Sequence, residues 1–250
     1  MAEVSSRSGR PSRPRIILAI DTALGAASAC LLDMTVAKPL AAETLPMERG
    51  HAEALIPLLD RLVARLDGGF GALGRVAVTV GPGSFTGIRV GVAAARAVGL
   101  ACRIPVVGVS TLQALAAPSI GKASTPVIAA IDARHGSVYA QIFGPNGASV
   151  LDACHRPVAA VIEAAGAGPI RLVGSGAPML AIEAWSRGLA AEVESQMAVP
   201  DIVLVARLGA LADPDPGGPK PLYLKAPDAK PSVSAIPSIP EPTEATTADA

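Results

Sequence analysis

The spacing of apolar residues changes several times along the chain. Ile16–Ile20 is an uninterrupted apolar run, which is typical of a strand buried on both faces. Ala26–Leu32 and residues 35–45 are predicted to form two more strands. Leucines then recur every three or four positions, which predicts an amphipathic helix over Leu55, Leu58, Leu59, Leu62 and Leu66. Pro57 falls inside this pattern, so we expect a kink, or a helix that begins near Ile56.

Strand and helix patterns then alternate. A strand, a helix, a strand and a short helix are predicted at Arg75–Val80, Phe85–Leu100, Pro105–Val109 and Thr111–Ala117. Two more strands are predicted at Val127–Ile131 and Ser137–Phe143. Strands that alternate with helices indicate the α/β class.

The second half of the chain repeats the first in order and spacing. Asp21 closes the first strand and stands four residues before Gly25, and Asp132 stands in the same relation to Gly136. Each half later places a glycine loop between a strand and a helix, at Gly81-Pro-Gly83 and Gly174-Ser-Gly176. A duplicated α/β unit of this kind predicts the two-lobed actin-like ATPase (ASKHA) fold. We expect an N-terminal lobe at residues 15–118 and a C-terminal lobe at residues 119–225.

The composition limits the possible functions. The formal net charge is zero and only six residues are aromatic, so the chain lacks the cationic surface and the stacking rings of an independent nucleic-acid binder. Its three cysteines lack CxxC spacing, which indicates buried thiols in a reducing compartment. No uninterrupted apolar run approaches the ~18 residues of a membrane span. We therefore expect a cytoplasmic protein that does not enter a membrane.

Both ends of the chain have polar, low-complexity sequences. Residues 1–14 are rich in Ser and Arg and lack the apolar region of a secretion signal, so we predict a disordered leader. A transit peptide and an RNA-contacting arm are the alternatives for this segment. Residues 226–250 are rich in Pro, Ala, Ser, Thr and acidic residues and are predicted to be a disordered tail.

The glycine loop in the first half allows two interpretations. It follows a strand and opens a helix, where free N–H groups of Gly81 and Gly83 could hold an anion. It lacks, however, the Lys-Ser/Thr ending of a P-loop and the glycine spacing of a dinucleotide loop. The alternative is a tight turn in which Ser84 caps the next helix. From Gly68 to Ile131 there is no acidic residue, against the five cations Arg75, Arg89, Arg96, Arg103 and Lys122.

Asp21 and Asp132 are the other candidates for a nucleotide site. An acid at the end of each repeated strand could organise Mg²⁺ around phosphates, or could simply accept N–H groups of its own turn. The three histidines include no HExxH motif and no pair at helical spacing, so no metal site is predicted and a metallopeptidase is disfavoured. No catalytic residue and no cofactor is predicted.

The helix after the first glycine loop carries a stripe of mostly small residues. Gly87, Gly91, Ala94 and Val98 fall at helical spacing. Small residues on one side allow close approach, either to the chain's own sheet or to a helix of another subunit.

Several segments together resemble the TsaB (YeaZ) family of bacterial threonylcarbamoyladenosine biosynthesis. The resemblance extends over residues 16–225, and its most specific part is the run GPGSFTGIRVG at Gly81–Gly91. The other matching segments are Ile17–Thr22, Arg49–Pro57, Gly108–Leu112, Asp132–Arg134 with Val138 and Tyr139, and Pro221–Leu224. Where the family often has Arg or Lys after Asp-Ala-Arg, this chain has His135.

The resemblance implies a non-catalytic subunit. Such proteins have the actin-like fold and are paralogues of TsaD, the enzyme that transfers threonylcarbamoyl to the adenine next to the tRNA anticodon. This chain lacks the metal-binding HxxxH of TsaD-like proteins. The family implies a heterodimer with a TsaD-like partner through the first two long helices, a TsaE-like ATPase in the assembly, a homodimer when alone, and contact with tRNA only through the complex. The interface residues expected are His51, Leu55, Gly87, Arg89, Gly91, Ala94 and Val98. An autonomous actin-like ATPase or kinase is the alternative function.

Overall fold

The computed structural model describes residues 16–33, 35 and 38–225, and the predicted leader and tail lie outside them. The first half contains, in order, β1 (Ile16–Asp21), β2 (Ala26–Asp33), β3 (Pro39–Pro46), α1 (His51–Val63), β4 (Arg75–Gly81), α2 (Phe85–Cys102), β5 (Val106–Ser110) and α3 (Thr111–Ala116). A short 3-10 helix at Gly69–Ala72 precedes β4. The strands and helices predicted in this half are confirmed.

The second half repeats this order of elements. It contains β6 (Val127–Asp132), β7 (Ser137–Phe143), β8 (Ser149–Pro157), α4 (Val158–Ala165), β9 (Ile170–Val173), α5 (Ala177–Ser186), β10 (Ala191–Ser195) and α6 (Ile202–Leu211). The sequence patterns missed β8, α4, β10 and α6. These elements have short or weakly alternating apolar patterns, except α6, which is apolar on nearly all sides.

Each half forms a mixed five-stranded sheet, and the two sheets have the same topology. The strand orders are β3-β2-β1-β4-β5 and β8-β7-β6-β9-β10. In both, three antiparallel strands are followed by two parallel ones, so that Ala19 on β1 lies between Cys30 on β2 and Ala77 on β4. The central strands are buried because helices cover the faces of the sheets. This repetition confirms the duplicated α/β unit and the two-lobed actin-like fold.

The last helix of each half packs on the sheet of the other half. In α3, Leu112 and Leu115 join a core cluster with Val127 and Ala129 of the second sheet. In α6, buried residues join a cluster on the first sheet that contains Ile17, Ala19, Cys30, Ala77, Val205 and Ala206. The two lobes therefore exchange their last helices, since α3 packs on the second sheet and α6 packs on the first. The lobe boundary at residues 118/119 stays a prediction.

Arg75 fastens α6 to the first lobe. Its Nη1 atom donates hydrogen bonds of 2.9, 3.2 and 2.8 Å to the carbonyl oxygens of Gly209, Ala210 and Ala212. The last carbonyls of a helix have no partner within the helix, and a cation there also interacts favourably with the helix dipole.

Helix α1 begins earlier than the sequence indicated. It starts at His51, directly after Gly50 in the left-handed conformation (φ +86°), and Pro57 lies inside it. Pro57 costs the helix one hydrogen bond. Burial of Leu55, Leu58 and the other leucines of the stripe against the first sheet offsets this cost, because each buried leucine contributes roughly 1.5–3 kcal/mol.

Helix α2 is long and apolar enough to cross a membrane by length and composition alone. Its buried side, however, packs on the first sheet through Ile88, Val92 and Ala95. The same helix also carries the exposed cations Arg89 and Arg96. We therefore describe it as the core helix of the first lobe.

Candidate functional site

Asp21 ends β1 beneath the first glycine loop and is fully buried. Its Oδ1 accepts hydrogen bonds from the Thr79 hydroxyl at 2.5 Å and from the Ala23 N–H at 3.1 Å, whereas Oδ2 has no partner among the described residues. Burial raises the pKa of this carboxyl above its usual value, although the two hydrogen bonds and the charge of nearby His51 act in the opposite direction. Because its carboxyl is closed off from solvent, Asp21 cannot reach a ligand in the cleft without a rearrangement.

Asp132 occupies the equivalent position on β6 but is exposed. Its Oδ1 accepts a hydrogen bond of 2.7 Å from the N–H of Arg134, which is the same two-residue turn that Asp21 makes with Ala23. Among the described residues, no hydrogen bond joins the two aspartates. The repeat therefore places both acids as predicted, but the structure shows a turn-forming role for each.

The first glycine loop is closed by contacts within the chain. The Ser84 N–H donates to the Ala23 carbonyl at 2.7 Å, and the Ser84 hydroxyl accepts from the Gly87 N–H at 3.3 Å, so the predicted cap is confirmed. A Cβ at Gly83 would collide with the Ala23 carbonyl, and Gly81 requires its positive φ of +109°. Contacts within the chain therefore account for both glycines, and the N–H groups of Ser84 and Gly87 donate within the chain.

A cavity of about 550 Å³ lies between the lobes, but its lining contains none of the four candidate nucleotide ligands. Beside it, buried Arg171 donates to the carbonyl oxygens of Ser119 and Thr125 and to Glu194 Oε1 at 2.8–3.0 Å. Burial raises the pKa of Glu194, but hydrogen bonds from Ser119 and Arg171 outweigh it and bring the pKa below its usual value. Arg171 and Glu194 lie on β9 and β10 of the second sheet, and their hydrogen bonds with Ser119 and Thr125 fix the linker between the lobes to that sheet. Among the described residues, no group of three or more His, Cys, Asp or Glu could hold a metal ion.

Most of the expected interface residues face the interior. Gly87 and Gly91 are buried because Thr22 approaches them: a Cβ at Gly87 would collide with the Thr22 carbonyl, and one at Gly91 would lie 2.5 Å from Thr22 Oγ1. Packing within the chain, the alternative left open above, therefore accounts for both glycines. Leu55 is also buried, and Ala94 and Val98 pack partly against the same core.

His51 is half-buried, with Nε2 3.0 Å from the Leu24 carbonyl oxygen. Of the seven residues expected at the interface, only Arg89 is exposed. Whether the other six contribute to an interface stays a prediction.

The exposed sides of α1 and α2 form a different surface, which we call the outer helical face. It carries exposed apolar side chains on both helices, although the opposite sides of the helices form the core. Ile56, Phe85 and Leu100 are 52%, 44% and 83% exposed. The outer helical face comprises Ile56, Pro57, Phe85, Arg89, Ala97 and Leu100. The sequence patterns identified the helices but selected the inward-facing positions, because small and apolar residues occur on both sides of α2.

A segment from the far end of the chain lies beside α2. We call residues 219–223 the C-terminal strap. The Leu222 N–H donates to the Val80 carbonyl at 2.7 Å, and Arg96 donates to the Pro219 carbonyl at 2.9 Å. The Tyr223 ring lies 5.1 Å from the Phe85 ring. Tyr223 lies in the family segment Pro221–Leu224, and its position in the sequence predicted no role for it.

The comparisons with known proteins agree with this architecture. Residues 45–198 match the family model "TsaD: tRNA N6-adenosine threonylcarbamoyltransferase". The TsaB protein of Escherichia coli K12 is 39% identical over 125 residues, which are 49% of this chain and 52% of that protein. The chain thus spans about half the length of the curated TsaB relatives that it matches first. An uncharacterised protein of Mycobacterium tuberculosis H37Rv is 33% identical over 223 residues, 86% of this chain and 94% of that protein.

A solved structure extends the similarity to nearly the whole fold. YeaZ from Pseudomonas aeruginosa superposes with a TM-score of 0.65 at 26% sequence identity. The superposition covers 84% of this chain and 99% of that protein. The similarity therefore includes both lobes.

Proposed function

The chain belongs to the TsaB (YeaZ) family of tRNA threonylcarbamoyladenosine biosynthesis, and on that premise we propose that it is a non-catalytic subunit that supports a TsaD-like enzyme. In this proposal it forms a heterodimer with the TsaD-like paralogue and self-associates when that partner is absent. A TsaE-like ATPase joins the assembly, tRNA is contacted only through the complex, and the complex works in the cytoplasm.

The observation that carries the proposal is the outer helical face. Ile56 and Leu100 are more than half exposed on two helices that are otherwise well packed. Phe85, Ala97 and Leu100 follow helical spacing on the exposed side of α2, and exposed apolar side chains that cluster on a folded domain are typical of a protein–protein interface. Two helices from each subunit, meeting about a two-fold or pseudo-two-fold axis, would bury this face in a four-helix contact.

The non-catalytic part of the proposal is supported by the environment of Asp21. Its carboxyl is fully buried, and burial favours its neutral form. An acid that is enclosed by the protein is poorly suited to organising Mg²⁺, which prefers charged oxygen ligands together with water. The rival function, an autonomous ATPase or kinase, requires this acid to open to the cleft.

The dimer is tested with two leucines that are equally exposed at the ends of different helices. Leu100 on α2 is 83% exposed and Leu211 on α6 is 81% exposed. Leu100→Lys should weaken binding of the TsaD-like protein from the same cell by more than about tenfold, since buried interface anchors carry most of the binding energy. Leu211→Lys is the control and should bind as the wild type does. Binding is measured by isothermal titration, and threonylcarbamoyladenosine by mass spectrometry in a reconstituted mixture.

The outcomes separate the two parts of the proposal. Equal binding by both variants would place the interface on another surface. Tight binding of ATP·Mg²⁺ and phosphate release by the chain alone, both abolished by Asp21→Asn, would support the rival ATPase instead. Threonylcarbamoyladenosine formation that is unchanged when the chain is left out would refute the supporting role.

A further inference from the structure

Arg89 is held between two aromatic side chains at the edge of the outer helical face. Its guanidinium carbon lies 3.7 Å from the centre of the Phe85 ring, and its Nε donates a hydrogen bond of 2.8 Å to the Tyr223 hydroxyl. We propose that the C-terminal strap is a third element of the partner-binding surface: Tyr223 orients Arg89, and Arg89 binds a carboxylate of the TsaD-like partner. This inference rests on the proposed function and names the residues that would give the interface its selectivity.

The geometry leaves the charged end of Arg89 available. Nε is used by Tyr223, whereas the two terminal nitrogens make no hydrogen bond among the described residues, and no ion pair there involves Arg89. A planar guanidinium fixed by ring stacking presents its remaining N–H groups in the fork that suits a carboxylate. Arginine and tyrosine are also the side chains most enriched among residues that dominate binding energy.

The strap that carries Tyr223 is anchored independently of the arginine. The Leu222 N–H donates a hydrogen bond to the Val80 carbonyl. The Pro219 carbonyl accepts a hydrogen bond from Arg96, and Pro219 also lies beside Gly108. Arg96 and Arg89 are separated by two turns of α2, and they contact Pro219 and Tyr223 respectively. The strap therefore runs alongside α2 in the opposite direction, and Tyr223 is delivered to the first turn of the helix.

The charge distribution identifies the chemistry of the partner's residue. Helix α2 contains no acidic residue, and the outer helical face carries Arg89 at the end where α2 begins. An arginine that is desolvated in the interface without a carboxylate partner would weaken binding. An arginine that is paired with a carboxylate strengthens binding and makes it selective for that partner. We therefore expect Arg89 to pair with an acidic side chain on the facing helix of the TsaD-like partner.

The experiment is a double-mutant cycle on the full-length chain, with affinity for the TsaD-like protein measured by isothermal titration. Arg89→Gln should weaken binding by more than about tenfold. It should also reduce the salt dependence of binding between about 50 and 300 mM, because a charge pair has been removed. Tyr223→Phe keeps the ring contact with Phe85 and removes only the hydroxyl. It should weaken binding about threefold in the wild type and by less than about twofold in the Arg89→Gln background, because the two residues act as one unit.

Arg187→Gln is the matched control, since Arg187 is an exposed arginine paired with Glu183 on α5 of the second lobe. It should bind as the wild type does. Additive effects of Tyr223→Phe and Arg89→Gln would refute the positioning role of Tyr223. If the wild-type chain binds the partner and Arg89→Gln binds it equally tightly, the carboxylate contact is refuted. Failure of the wild-type chain to bind the partner at all would instead overturn the proposed function itself.

Discussion

The Thr22 hydroxyl donates a hydrogen bond of 2.7 Å to the Gly87 carbonyl, 65 residues later in the chain. Thr22 lies directly after β1, and Gly87 is in the first turn of α2. The bond therefore fixes the start of α2 against the end of the central strand. Gly91, one turn further on, faces the same threonine side chain. Glycine is needed at positions 87 and 91 because a Cβ there would collide with Thr22 at the end of β1.

Gly91→Ala should accordingly lower the stability of the isolated chain. Its Cβ would lie 2.5 Å from Thr22 Oγ1. Overpacking of this kind typically costs about 1–3 kcal/mol. The measurement is urea unfolding followed by circular dichroism. Gly168→Ala is the control, since a Cβ there meets nothing within 4 Å. An unchanged stability combined with lost partner binding would show that Gly91 serves an interface instead.

The stability of the chain should depend on the ionisation of Asp21. The folded-state pKa of Asp21 is raised above the ordinary value of 3.8, so the folded state binds more protons than the unfolded state between the two pKa values. Asp21 therefore lowers the free energy of unfolding as pH rises from about 4 to its folded pKa, by at most ~1.4 kcal/mol per pH unit. Asp21→Asn should remove this slope in unfolding titrations over that range.

The exposed Asp132 provides the comparison for that experiment. Asp132→Asn keeps an oxygen that can accept the Arg134 N–H. Its unfolding free energy should follow the pH dependence of the wild type. If Asp132→Asn and Asp21→Asn change the slope equally, burial of Asp21 is not its cause.

Arg171 should be indispensable to the linker between the lobes. Removal of Arg171 leaves Glu194 and the carbonyl oxygens of Ser119 and Thr125 without this donor, and a buried polar group that loses its partner typically costs about 1–3 kcal/mol. Arg171→Ala should therefore lower the melting temperature strongly. Arg171→Lys should recover little, because one ammonium cannot reach Thr125, Ser119 and Glu194 together. Arg187→Ala removes an exposed ion pair and should cost less than ~1 kcal/mol. Equal losses at Arg171 and Arg187 would contradict this account.

Cys30 should react with thiol reagents only after unfolding. Burial raises the pKa of its thiol to about 12, and the side chain is fully enclosed on β2. Cys102 and Cys154 are partly exposed and serve as internal references. Mass spectrometry after labelling at pH 8 should find these two modified first. Early modification of Cys30 would show that the cluster between the first sheet and α6 opens readily.

The repetition of the fold was predictable because order and spacing survive where residue identity does not. Asp21 and Asp132 ended apolar strands in both halves, and the structure places them at equivalent positions of equivalent sheets. The exchange of α3 and α6 was not predictable, since an apolar helix carries no signal for the sheet that it covers. Its partner is decided by tertiary contacts.

The candidate site was harder to predict than the fold. A glycine in a helix indicates that something approaches closely, but periodicity cannot tell whether the neighbour is internal or external. Gly87 and Gly91 are approached by Thr22, which directly follows β1 and is more than 60 positions away in the sequence. Tyr223 and Arg89 are 134 positions apart, so their contact has no local pattern. The exposed residues of α1 and α2 could be identified only from the structure, because it shows which side of each helix packs on the first sheet.

The exchange of α3 and α6 has a consequence for how the chain responds to a partner. If the second half were removed, the surface of the first sheet that contains Ile17, Cys30 and Val107 would lose its covering helix. Each half thus depends on the other, and we expect one cooperative melting transition with no stable fragment. A subunit that docks on α1 and α2 binds only the intact fold, so its binding energy raises the melting point of the remote second lobe as well.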